Sequence, residues 1–294
     1  MNIAHFYLDG NIDAVEFCPH KSYNHVLAAS TSTLQEGQLD LLHCLESTDI
    51  FYIKWSPVEA NIGCPLLAQA DSDGYVKVHG LESSSDGPEE KGLVLREVTG
   101  VKISSSMCLC LDWNPSATLI VVGLSDGSVS LLSHFETEIE IEQEWKHMIL
   151  SLFQNSKEYK MGVCYITKSI SDPNVVLTGS YDEHIRVWDI RSISKPVNQS
   201  SICFGGGVWR IKQHPHVPSV VLAACMHDGF ALVDLRGEAI KIAETYNRHS
   251  SLAYGADWQK GTSKERKREN MVIATCSFYD RLIRICTPQC NIFA

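Results

Sequence analysis

One pattern of strands and turns recurs along the 294-residue chain, and it constrains the fold more than any other feature. A short β-type run ending in an aromatic residue, often with Pro close behind, occurs as "IDAVEFCP" (12–19), "DIFYIKWSP" (49–57), "LCLDWNP" (109–115), "VWRIKQHP" (208–215) and "AYGADW" (253–258). A second apolar strand, a tight turn and a third strand follow, clearest in "LLAQADSDGYVKV", "LIVVGLSDGSVSLL", "VVLTGSYDEHIRVWD", "VVLAACMHDGFALVD" and "VIATCSFYDRLIRIC". Their turn aspartates fall in register as Asp73, Asp126, Asp182, Asp228 and Asp280. Six residues beyond these stand His79, Leu132, Trp188, Asp234 and Cys286, so only the unit at 179–191 keeps a Trp-Asp pair. A fourth, more polar strand is clearest in "FETEIEIEQEW" (135–145), where Ile139 and Ile141 alternate with Glu138, Glu140 and Glu142. Such alternation suits an outer edge strand defended by charge.

Antiparallel units of this kind, about 40 residues long with a Trp-Asp signature, predict a β-propeller. The expected fold is therefore all-β, a WD40-type β-propeller forming a single domain over residues 1–294. Six blades are recognisable, beginning near residues 12, 49, 107, 162, 207 and 252. The last supplies three strands of its own, and pairing residues 2–8 with 281–286 lets the N-terminal strand close it and remove an exposed sheet edge.

Composition narrows the classes of function. Hydrophobic content of 44% with 20% charged residues is that of a globular protein. The start "MNIAHFYLDG" has neither a basic segment nor a continuous apolar one, and no apolar run is long enough to span a bilayer, so a cytosolic or nuclear address without a membrane partner is expected, and the chain is expected to be a monomer. A net charge of -10 argues against direct nucleic-acid binding. The basic run "KERKR" (264–268) reads as a solvated loop. Eleven scattered cysteines lack zinc-site spacing and read as reduced, mostly buried thiols, so neither a metal nor a cofactor is expected.

In a propeller, the starts of the first strands and the second-to-third strand turns approach the mouths of the central channel. This rim gathers Tyr181, Asp182, Glu183 and His184, Gly205 to Gly207 with Trp209 and Arg210, Cys225 and His227, Tyr254, and Cys276 to Tyr279. Asp182 recurs and reads as a turn residue, whereas Glu183 and His184 do not recur. Arg210 is unusual among the aligned residues Ala14, Tyr52, Cys110 and Gly255, and needs an anion, a carbonyl or a structural carboxylate as partner. The catalytic candidates are His184, His227, Ser277, Cys225 and Arg210, with Ser180 and Cys276 as further nucleophiles. The substrate-binding candidates are Trp209, Tyr181, Glu183, Tyr254 and Tyr279; with Phe278, the aromatic residues could enclose a quaternary ammonium group or simply pack between blades. The string "GLSDG" (123–127) fits G-x-S-x-G, but it lies in a strand-to-strand turn and not in the strand-to-helix elbow that a nucleophilic Ser125 requires.

The strings "MGVC" (161–164), "LTGSYDEHIRVWDIR" (177–191), "GGVWRIKQHP" (206–215), "LAACMHDGF" (222–230), "YGADW" (254–258) and "ATCSFYD" (274–280) together resemble the WD-repeat diphthine methylesterases of eukaryotic diphthamide biosynthesis. The resemblance implies hydrolysis of the methyl ester on over-methylated diphthine, a modified histidine of translation elongation factor 2, so that the carboxylate can be amidated. It also implies seven blades, and "WKHMILSLFQNSKEYKMGVC" (145–164) joins directly two segments between which that family carries a further repeat. A second class of function stays open: "VWDIR" (187–191) resembles the docking box of substrate receptors for cullin ubiquitin ligases, which implies a ubiquitin-ligase adaptor as partner.

Overall fold

The structure, a computed structural model, describes residues 2–8, 10–31, 49–57, 64–83, 92–126, 128–135, 138–146, 159–191, 197–237, 239–260 and 271–290. The described elements are strands apart from one short 3-10 turn, Lys21–Tyr23. In chain order they are β1 (Asn2–Tyr7), β2 (Ile12–Phe17), β3 (Leu27–Thr31), β4 (Ile50–Trp55), β5 (Leu66–Asp71), β6 (Tyr75–Ser83), β7 (Leu93–Lys102), β8 (Cys108–Trp113), β9 (Leu119–Leu124), β10 (Ser128–Phe135) and β11 (Glu138–Lys146). There follow β12 (Val163–Lys168), β13 (Val175–Ser180), β14 (His184–Asp189), β15 (Val197–Cys203), β16 (Arg210–Gln213), β17 (Val220–Ala224), β18 (Phe230–Asp234), β19 (Lys241–Tyr246), β20 (Ala253–Trp258), β21 (Ile273–Ser277) and β22 (Leu282–Cys286).

These strands form five four-stranded antiparallel blades and one two-stranded sheet, the arrangement of a WD40-type propeller. Five complete blades stand against the six expected. The unit that starts at residue 12 shows only β2 and β3, and residues 32–48 lie outside the described set. So do the basic run at 264–268 and most of the junction at 145–164.

The chain divides into two compact units, one of residues 8–148 and one of residues 1–7 with 149–294. In the first, the sheets run β2-β3, β4-β5-β6-β7 and β8-β9-β10-β11. Here the glutamate-rich strand β11 is outermost, as its alternation predicts. The aromatic residue that ends each first strand has a specific task. Trp55 donates its indole N–H to the carbonyl of Glu16, 3.1 Å away in β2, and Trp113 donates to the carbonyl of Lys54 at 3.1 Å in β4. Each buried indole thus ties its blade to the preceding one. Lys54 adds an ion pair on each side, 3.6 Å to Glu16 of the preceding sheet and 3.8 Å to Asp112 of the following blade.

The second unit holds β12-β13-β14-β15, β16-β17-β18-β19 and β20-β21-β22-β1. The N-terminal strand pairs antiparallel with β22, from Asn2 opposite Cys286 to Tyr7 opposite Leu282, and completes the last blade as the sequence predicts. Trp258 repeats the tie between blades, donating to the carbonyl of Lys212 at 2.9 Å. Apolar clusters fill the spaces between blades: Leu177, Ile185, Val208, Ile211 and Val221 in one, and Leu222, Phe230, Leu232, Trp258 and Ile273 in the next. Each such side chain contributes about 1.5–3 kcal/mol of burial. Every residue of β17 is buried, which fixes the central blade of this unit.

Candidate functional site

The candidate site residues all lie in the second unit, on its turns, strand ends and the loop before β16. The turn between β13 and β14 carries Tyr181 to Glu183. Asp182 is its anchor: the carboxylate accepts from Arg186 at 2.9 and 2.8 Å and from the backbone N–H of Lys160 at 3.0 Å. Burial raises the Asp182 carboxyl, but these donors more than offset it and hold the group below the usual carboxylate range. Nearby, Thr178 Oγ1 takes the indole N–H of Trp188 at 3.0 Å and meets the Tyr159 hydroxyl at 2.6 Å, with the Tyr159 ring stacked on Trp188. Asp182 is thus part of a structural brace, and so is Trp188.

Glu183 has a backbone φ of +72°. Gly74 and Gly229 hold the corresponding place in other turns with φ of +79° and +74°, and Arg281 does so with φ of +54°, so Glu183 occupies a left-handed position that favours glycine. His184 follows. Its Nδ1 lies 2.6 Å from the carbonyl oxygen of Asp182. A carbonyl only accepts, so in the neutral ring Nδ1 carries the proton and Nε2 keeps its lone pair. The side chain is 29% exposed.

Three glycines let the loop before β16 pass close to this turn. Gly205 has φ of +85°, a Cβ on Gly206 would sit 2.2 Å from the Cys225 carbonyl oxygen, and one on Gly207 would press on Met226 and Tyr181. The loop delivers Trp209 to the centre of a row of rings. Tyr181 meets Trp209 edge-on at 5.9 Å between ring centres, Trp209 meets Tyr254 at 5.0 Å, Tyr254 stacks on Phe278 at 5.1 Å, and Phe278 meets Tyr279 at 4.8 Å. Five rings from four separate segments therefore form one continuous surface. Its two ends, Tyr181 and Tyr279, are 40% and 66% exposed.

The remaining candidates fall elsewhere. Arg210 is buried and its guanidinium lies 5.6 Å from the centre of the Tyr165 ring. Cys225 is buried in the core between blades, and desolvation pushes its thiol far above the ordinary range. His227 is exposed on the β17–β18 turn. Ser277 is fully buried, with Oγ 2.7 Å from His249 Nδ1 and also against Asp280.

That last group holds the elements of a hydrolytic triad, and His249 is the residue that sequence reasoning missed. Its geometry is different. Nδ1 faces both Ser277 and Asp280, while Nε2 is bound to Thr275 Oγ1 at 2.9 Å. In a triad the histidine bridges serine and carboxylate through opposite nitrogens. The His249 side chain is 1% exposed, and burial lowers its pKa to about 4, a shift that Asp280 only partly opposes. The cluster is a buried brace for the β21–β22 turn. Ser125 is likewise occupied in a turn, accepting from the Met107 N–H at 3.1 Å.

Among the described residues, no group of three or more His, Cys, Asp or Glu is placed to hold a metal ion, and no helix is long and apolar enough to cross a membrane.

The WD domain, G-beta repeat model matches residues 97–132 and 157–189. A diphthine methyltransferase homolog of Dictyostelium discoideum is 28% identical over 68% of this chain and 68% of its own length. The diphthine methyltransferase of Homo sapiens is 27% identical over 84% of this chain and 72% of its own. The human alignment runs over 333 positions, more than this chain's 294 residues, so the relative carries residues with no counterpart here. A solved structure, the Crystal Structure of Mitotic Checkpoint Complex, superposes with a TM-score of 0.63 at 11% identity over 98% of this chain and 94% of that one, a likeness of fold. Residues 97–132 and 157–189 thus carry WD40 repeats, and relatives that align over 68% and 84% of the chain are named diphthine methyltransferase homolog and diphthine methyltransferase.

Proposed function

We propose that the chain acts in diphthamide biosynthesis by hydrolysing the methyl ester of methylated diphthine on translation elongation factor 2, in the cytoplasm. The observation that carries this reading is the row Tyr181–Trp209–Tyr254–Phe278–Tyr279. Diphthine bears a trimethylammonium group, and a surface of aromatic faces attracts such a cation through the ring quadrupoles, by about 0.5–2 kcal/mol per well-placed ring.

His184 stands on the same turn as Tyr181 and is the group suited to activate water. Nε2 takes a proton from water as its oxygen bonds to the ester carbonyl carbon. The tetrahedral oxyanion then collapses, the C–O bond to methoxide breaks, and His184 returns the proton to give methanol and the acid, which ionises in solvent. His227 is the alternative base. The amides of Gly205 to Gly207 make no hydrogen bond to a described residue and are the donors suited to the oxyanion, whereas Arg210 is buried against Tyr165. Burial of Ser277 and Cys225 favours direct attack by water over an acyl intermediate.

The test is methanol release from methyl-esterified elongation factor 2. No release by a folded preparation sinks the esterase reading. Incorporation of labelled methyl from a methyl donor into the unesterified factor instead, as the relatives' name suggests, assigns the opposite reaction at the same residue.

A second reading, a receptor for a ubiquitin-ligase adaptor, is favoured by one observation. Asp189–Arg191 at the end of β14 has a structural twin in Asp234–Arg236 at the end of β18, each arginine folded onto its own aspartate, Nε to oxygen at 2.8 and 2.9 Å. Adaptor pull-down that is lost in Arg191→Ala and Arg236→Ala supports it, and no pull-down removes it.

A further inference from the structure

The last blade lacks the tryptophan of an intact repeat, and that loss has opened a space. Thr178 pairs across the sheet with Arg186, and Trp188 stands two residues on; Thr275 pairs with Arg284, and Cys286 stands two residues on. Trp188 packs under the Tyr159 ring, whereas the much smaller Cys286 is one wall of a cavity. A cavity of about 400 Å³ lies there, lined by Cys286, Tyr246, apolar side chains from the neighbouring blade and the segment Thr287 to Gln289.

The two arginines at matching places also differ. Arg186 forks Asp182, but in the last blade Asp280 is engaged by Ser277, the Ser250 N–H and Leu282 N–H. Arg284 is left facing the cavity, and its Nε is buried without a partner. Arg248 lines the same cavity. Neither arginine makes a hydrogen bond or ion pair with any described residue. The acid in the lining, Glu244, is occupied with the backbone N–H groups of Gln289 and Cys290, at 2.8 and 2.9 Å, which pins the tail segment as one wall.

A buried guanidinium N–H without an acceptor, as at Arg284 Nε, is costly, and a planar fork matches an oxyanion. We infer that this cavity is a binding site for a carboxylate or phosphate group carried on a small, partly apolar molecule, held by Arg284 and Arg248. It is separate from the aromatic row and independent of the esterase reading. The apolar wall of Leu222, Leu232 and Ile273 selects an attached hydrocarbon body.

Methyl NMR tests this directly, with the Leu222, Leu232 and Ile273 methyl groups as reporters. Inorganic phosphate, phenyl phosphate and benzoate are titrated into the whole chain at constant ionic strength. Saturable shifts at these three residues are expected, with phenyl phosphate binding roughly tenfold more tightly than phosphate because its ring leaves water. Arg248→Gln, a change at an exposed residue, is expected to weaken binding at least tenfold, and Cys286→Trp to abolish it by filling the space. If Cys286→Trp fails to fold, Arg248→Gln decides. Shifts that do not saturate, or that are the same in Arg248→Gln, overturn the inference; a response to phosphate and benzoate alike with no gain for phenyl phosphate refutes the apolar selection.

Discussion

Arg186 holds Asp182 with both arms of its guanidinium, Nη1 to Oδ1 at 2.9 Å and Nη2 to Oδ2 at 2.8 Å, and both side chains are withdrawn from solvent. Asp182 reads as a turn residue in the sequence, and its carboxylate is indeed engaged by Arg186, by the His184 N–H and by the Lys160 N–H. Removing one partner strands a buried charge. Arg186→Met is therefore expected to cost about 3–5 kcal/mol, measured by chemical denaturation. The folded carboxyl lies below its unfolded value near 3.8, so its contribution is present above that pH and is lost as pH falls through the folded value.

Glu183 provides a sharper separation of stability from function. Its φ of +72° is strained for a residue with a Cβ. Glu183→Gly is expected to raise stability by about 1 kcal/mol, the relief of left-handed strain less the greater freedom of glycine in the unfolded chain. If the carboxylate serves the trimethylammonium of the substrate, KM rises in the same variant. Denaturation and steady-state kinetics on one preparation separate the two effects, and a fall in stability contradicts the strain argument.

The blades were legible because their signal is local: alternating apolar residues, a turn aspartate and an aromatic at the strand end sit at fixed spacing. Even the pairing of β1 with β22 followed from counting strands. The purpose of the strand-end tryptophans was not legible, since their acceptors, Glu16, Lys54 and Lys212, lie 39 to 59 residues away. The same is true of the site. Sequence grouped Tyr181, Trp209, Tyr254, Phe278 and Tyr279 but could not show their order or spacing in a row, nor that Ser277 and Cys225 are buried. His249 was missed because it lies on the connection before β20, 28 residues from Ser277, with no repeating motif to mark it.

His249 makes the fold sensitive to acid. Its folded pKa is lowered to about 4 from an ordinary 6.5, because burial disfavours the cation and the Arg284 charge adds to that, against the pull of Asp280. Above pH 6.5 both states are neutral and stability is unaffected. As pH falls from 6.5 to 4 the unfolded chain takes up a proton that the folded chain refuses, so stability declines by up to about 3 kcal/mol. His249→Gln is expected to flatten this part of the profile. Thermal unfolding at pH 7, 6 and 5 checks it, and equal slopes in the two proteins contradict the assignment.

Ser277 and His184 give opposite expectations for catalysis. Ser277→Ala removes a hydroxyl that no substrate can reach, so methyl-ester hydrolysis per folded molecule should stay within about twofold, while stability falls by about 1–2 kcal/mol through loss of the bonds to His249 and Asp280. His184→Gln keeps a polar side chain of similar reach but loses the basic nitrogen, and kcat should fall by about 10² to 10⁴, the usual range for a general base, with KM little changed. Trp209→Leu should do the reverse, raising KM by roughly tenfold and leaving kcat within a few-fold, because in the proposed reading the central ring of the row serves the cation and not the ester. A Ser277→Ala variant that folds but loses activity would return the serine to the mechanism and require the β21–β22 turn to open. Unchanged kcat in His184→Gln moves the base to His227 on the neighbouring turn, which His227→Gln then tests by the same measurement.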